Sequence, residues 1–107
     1  MARILIVDDE QSIRETLREI LEYEGYEIEE AEDGDKALSL IKKFNYDAVL
    51  ADIKMPKLDG LELLEKAKEI APELPFIMIS GHGTTETAVE ATKKGAFDFI
   101  AKPLDLN

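Results

Sequence analysis

The sequence predicts an α/β fold, a doubly wound sheet of five parallel strands with helices on both faces. Two observations carry this. Short apolar, β-branched runs alternate with helix-period stretches five times along the 107 residues. Four of those runs are apolar almost without interruption, as strands buried on both faces of a parallel sheet must be.

The first strand is expected over residues 4–7, "ILIV". Ile13, Leu17, Ile20 and Leu21 share one helical face, with Gly25 as a C-terminal stop. The second strand, residues 26–31, is more polar, with glutamates at 27, 29 and 30, which places it at an edge. Ala37, Leu38, Ile41 and Phe44 form the next helical face, behind Asp33 as N-cap. The third strand follows at 48–51. Leu61, Leu64 and Ala67 make the third helix, ended by Pro72. The fourth strand covers 76–80, the fourth helix 84–94, and the fifth strand 97–101. That fourth helix is rich in Ala and Thr and has few large apolar anchors, so its local stability is expected to be low. After the fifth strand come only residues 102–107, and the sheet is expected to stop short of a closing helix. The uncovered strip this leaves predicts self-association. No linker, low-complexity tract or second domain is visible, so residues 1–107 read as one domain.

Composition excludes several classes of function. There is no Cys, hence no disulfide, thiolate zinc site or Cys nucleophile. His82 is the single histidine, too few for a multi-histidine metal site. A net charge of −11 argues against a nucleic-acid or anionic-membrane partner. No apolar run approaches the ~18 residues of a membrane span, and acids follow the N-terminal apolar run where a signal peptide would carry a cleavage site. A cytoplasmic location is expected.

The chemistry gathers at the carboxyl ends of the strands, where open parallel sheets hold their sites. Asp8 and Asp9 follow the first strand, Asp52 the third, Ser80 the fourth and Lys102 the fifth. They converge on one crevice if the strand order is 2-1-3-4-5. Like charges so placed repel by about 3 kcal/mol per pair at ~5 Å and an effective dielectric of 20. Mg2+, which takes hard oxygen ligands, would offset that. Asp52 can serve as a nucleophile that forms an acyl phosphate. Lys102 and the metal would neutralise charge on a transferring phosphoryl group, and Ser80 would donate a hydrogen bond to it. Taken singly, each residue also has a plain reading, as a loop acid, a turn lysine or a cap; five suitable types at the ends of four strands argue for the joint one.

The stretches "ILIVDDE", "LADIKMPKLDG", "MISGHG" and "GAFDFIAKP" lie within residues 3–103 and together closely resemble a two-component response-regulator receiver domain, of the CheY-like superfamily with its flavodoxin-like sheet. The run from "SGHGT" to "IAKP" is most similar to the nitrogen-regulation (NtrC) class. The resemblance implies that Asp52 is the phosphoacceptor. It implies that Asp9 and Asp52 hold Mg2+ directly, with the backbone carbonyl of Lys54, and Asp8 through water. It also implies that Ser80 is a switch hydroxyl, Lys102 the phosphate-contacting lysine and Phe99 the aromatic switch residue. The implied partners are a sensor histidine kinase, which donates the phosphoryl group, and an output domain or downstream regulator. The domain would then be no enzyme beyond promoting its own phosphorylation and dephosphorylation. His82 reads as a loop or helix-start residue near the site.

Two other classes share parts of this pattern. A Mg2+-dependent phosphohydrolase working through an aspartyl phosphate usually carries its nucleophile in an Asp-x-Asp pattern after the first strand, where this chain has adjacent Asp8 and Asp9. A flavodoxin-like binding module needs a Ser/Thr/Gly-rich phosphate loop there, and acids would repel a flavin phosphate.

Overall fold

A computed structural model describes residues 2–81 and 85–101. The elements alternate without exception: β1 (Arg3–Val7), α1 (Gln11–Tyr23), β2 (Glu27–Ala31), α2 (Gly34–Lys43), β3 (Ala48–Asp52), α3 (Gly60–Ile70), β4 (Phe76–Ser80), α4 (Thr85–Lys93) and β5 (Asp98–Ala101). The strands form one parallel sheet in the order β2-β1-β3-β4-β5, with the glutamate-rich β2 at one edge as its polarity predicted. Charged residues on an edge strand discourage further strand pairing.

Alternation along the strands builds two cores. Leu5, Val7, Val49, Ala51, Phe76 and Met78 face one side and pack with Ala37 and Ile41 of α2, Leu63, Leu64 and Ala67 of α3, and Ala91 of α4. Ile4, Ile6, Ile28, Leu50 and Ile79 face the other and pack with Leu17 of α1. Burying each of the larger side chains among them, Val, Leu, Ile, Phe or Met, stabilises by about 1.5–3 kcal/mol. α4 enters the core through the small Ala91, while its Val89 is exposed, in line with the sparse anchoring expected.

Local sequence explains the helix ends. Gly25 takes φ +96° at the end of α1; its N–H donates to the Glu22 carbonyl and that of Tyr26 to Leu21. This is the Schellman arrangement, which needs a left-handed residue at that position. The Asp33 side chain accepts from the Lys36 N–H at 2.8 Å and caps α2. One expectation fails here. Phe44 does not extend the apolar face of α2: the backbone turns extended at φ −127°, ψ 157°, and the ring is exposed. The Arg3 guanidinium lies 6.0 Å from its centroid, a cation–π distance.

Candidate functional site

The site is built by register. Val7 pairs with Ala51 across β1 and β3, so the next residues, Asp8 and Asp52, leave adjacent strands side by side. On the other side of β3, Asp52 pairs with Ile79, and Ser80 follows it at the end of β4. Ser80 in turn pairs with Ala101, the last described residue of β5. Lys102 and His82 lie outside the described residues.

Burial separates these groups. Asp8, Asp52 and Ser80 are only 2%, 5% and 1% exposed, the buried polar residues among those described. Burying polar groups costs free energy unless they are bonded or paired, so their position beneath the strand ends is not explained by solvation. Asp9, one residue on, is exposed. Asp52 continues the row of Leu50 toward α1, and Ser80 that of Met78 toward the other helices. The crevice thus draws on both faces of the sheet.

Asp8 is held at three points. Its N–H donates to the Ala31 carbonyl at 3.2 Å, continuing the ladder to β2. Its Oδ1 accepts from the Glu10 N–H at 2.9 Å. Its carbonyl accepts from Arg14 Nη1 at 2.6 Å. Carboxylate oxygens of Asp8, Asp9 and Glu10 lie within 4.8 Å of one another. Among the described residues this close group holds Glu10 beside Asp8 and Asp9, whereas Asp52, expected as a direct ligand with Asp9, is not part of it. Three carboxylates at this spacing are a hard-oxygen donor set suited to a divalent cation.

The loop after Asp52 is braced from α3. The Gly60 N–H donates to the Ile53 carbonyl at 2.8 Å. Asp59 caps the helix by a reciprocal pair of bonds with Glu62, at 2.9 and 3.2 Å. Ile53, Lys54, Met55, Pro56 and Asp59 line an open cleft of about 400 Å³ in the loop that follows β3. Met55 is buried and the Lys54 side chain exposed. Phe99 is half-buried, packed at the margin of the larger core. Arg14 carries only a weak signal in the sequence, a lone cation in the first turn of α1, four residues after Glu10.

These features define a flavodoxin-like α/β domain with an acidic crevice at the point where its winding reverses. The sequence pattern of the family described as response regulator receiver domain matches residues 4–107, and the chain belongs to that family. It is 50% identical over 104 residues to the nitrogen assimilation regulatory protein NtrX of Azorhizobium caulinodans, covering 95% of this chain and 23% of that one. A CheY-like receiver domain protein from Methanospirillum hungatei superposes with a TM-score of 0.93 at 40% identity, over 98% of this chain and 84% of that one. A response regulator from Burkholderia pseudomallei, solved with a phosphorylated aspartic acid, a calcium ion and citrate, superposes with a TM-score of 0.91 at 28% identity, over 98% and 62%. The chain spans less than half the length of the first curated relatives it matches. Among the described residues no helix is long and apolar enough to cross a membrane.

Proposed function

We propose that this receiver domain accepts a phosphoryl group on Asp52 from the phosphohistidine of a sensor histidine kinase, and that the modification changes its surface to control an output such as transcription. The observation that carries this is the buried Asp52 carboxylate, in register beside Asp8 at the ends of two central strands. The phosphorylated aspartic acid of the Burkholderia pseudomallei relative supports the same chemistry.

A carboxylate oxygen of Asp52 attacks phosphorus, the P–N bond to the donor imidazole breaks, and the imidazole keeps the bonding electron pair. Asp9 and Asp52, with the carbonyl of Lys54, would hold Mg2+ directly and Asp8 through water; the Glu10 carboxylate lies in the same close group as those of Asp8 and Asp9. When bound, Mg2+ would supply positive charge that neutralises the transferring phosphoryl group. Lys102, directly after the partner of Ser80 in β5, would add a second positive charge. Ser80 would donate to a phosphoryl oxygen, Phe99 would move further inward behind it, and the weakly anchored α4 and β5 would shift. The domain would act on no substrate but its own aspartate, in the cytoplasm, with an output domain or downstream regulator reading the change.

The test is intact mass after incubation with Mg2+ and acetyl phosphate, beside Asp52→Asn. A gain of one phosphoryl group in the parent alone is expected. A gain retained by Asp52→Asn, or none in the parent, overturns the assignment.

A further inference from the structure

We propose that Arg14 is a positioning residue for the acidic crevice, aiming the Asp9 carboxylate at the divalent cation by holding the peptide between Asp8 and Asp9. The proposal rests on the metal-dependent reading above and adds a residue to it.

The geometry is specific. Arg14 Nη1 donates to the Asp8 carbonyl at 2.6 Å, and its Nε donates to Glu30 Oε1 at 3.2 Å. The Arg14 side chain is only 14% exposed and Glu30 26%. Glu30 is shared: Arg18 Nε lies 2.7 Å from its other oxygen as an ion pair, without the alignment of a hydrogen bond. Arg18 also donates to the Ile28 carbonyl at 3.0 Å and reaches no residue of the crevice in any described contact.

A peptide unit is planar, so fixing the Asp8 carbonyl fixes the Asp9 N–H and narrows the directions open to the Asp9 side chain. Asp9 is exposed and follows the last strand residue by two, so the strand ladder does not itself orient it. Glu30 in β2 fixes the guanidinium plane, and the guanidinium fixes the carbonyl. Planar, rigid donors make Arg suited to bridging two acceptors; a Lys ammonium on a flexible stem does not reproduce it. Groups that orient metal ligands from behind commonly change metal affinity by about 10- to 100-fold when removed.

The experiment compares the parent chain with Arg14→Ala, Arg14→Lys and Arg18→Ala. Mg2+ affinity is read from amide shifts, phosphoryl gain from acetyl phosphate by intact mass, and folding from thermal melting. Arg14→Ala and Arg14→Lys are expected to weaken Mg2+ binding about tenfold, with the phosphorylation rate recovering at saturating Mg2+. Arg18→Ala, which loses a partner of the same Glu30, is expected to lower the melting temperature and keep the parent's Mg2+ affinity. Arg14→Lys retaining the parent's affinity, or Arg18→Ala weakening it equally, overturns the positioning role. In the parent itself the Arg14 Nε–H resonance should move with the Mg2+ midpoint; an unmoved resonance also overturns it, whatever the variants' folding. A parent that neither binds Mg2+ nor gains a phosphoryl group overturns the metal-dependent reading and this proposal with it.

Discussion

Gly60 lies against the backbone of Asp52 so closely that a Cβ there would stand 2.2 Å from the Asp52 carbonyl oxygen and 2.8 Å from the Ile53 Cα. The first turn of α3 is thus the floor on which the proposed phosphoacceptor rests. Neither opposing atom is the end of a flexible side chain, so relief requires the backbone to move. Gly60→Ala is expected to destabilise by at least the ~1–3 kcal/mol of core overpacking and to slow phosphoryl gain on Asp52. Urea unfolding and intact-mass kinetics measure the two effects; a stable variant with the parent's kinetics would show that the loop yields freely.

Asp59 and Glu62 start that same helix by satisfying each other's backbone N–H groups. Asp59→Ala removes the cap and is expected to cost about 1 kcal/mol, while Asp59→Asn retains most of it because Asn also caps. Equal losses in the two, measured by urea unfolding, would mean that the carboxylate charge rather than the cap matters.

The acidic cluster should be a liability without metal. Two unit charges at 4.8 Å repel by about 1 kcal/mol at the dielectric of water and more when partly buried. Asp9→Asn is therefore expected to raise the melting temperature in chelator and to lose most of the stabilisation the parent gains from Mg2+. That gain is about 2.7 kcal/mol at a hundredfold excess over Kd. Melting curves with and without Mg2+ decide it: an Asp9→Asn variant stabilised as much as the parent would remove Asp9 from the ligand set.

At the opposite end of the sheet, the Tyr46 hydroxyl donates to Glu29 Oε2 at 2.6 Å. Burial first, then this bond and the Glu29 charge, push the Tyr46 phenol well above its ordinary pKa. Below about pH 10 both folded and unfolded chains hold the proton, and the contribution is complete. Above it the unfolded chain releases the proton first, so stability falls as pH rises toward the folded value. Tyr46→Phe is expected to lose about 1 kcal/mol at neutral pH and to show a shallower alkaline loss. An identical alkaline slope in the variant, by urea unfolding across pH 9–11, would assign that loss elsewhere.

The sequence alone determined the alternation of strand and helix, the edge position of β2, the caps at Asp33 and Gly25, and the strand ends carrying Asp8, Asp52 and Ser80. These are local properties, set by periods of two and 3.6 residues and by the chemistry of turns, and the family resemblance gave them roles. Phe44 shows where period misleads: it continues the helical spacing, yet the chain leaves α2 there and the ring stays exposed, with the Arg3 guanidinium over it at 6.0 Å. Only the tertiary structure decided the rest. That Gly60 fits beneath Asp52 and that Arg14 ties the Asp8 carbonyl to Glu30 depend on how separate elements meet, while the gathering of Glu10 with its neighbours Asp8 and Asp9 depends on how the backbone turns after β1. Glu30 lies 16 residues beyond Arg14, and no spacing rule connects a first-turn arginine to it. The parallel register of β1 and β2, with Ile6 opposite Glu30, is what brings the pair together.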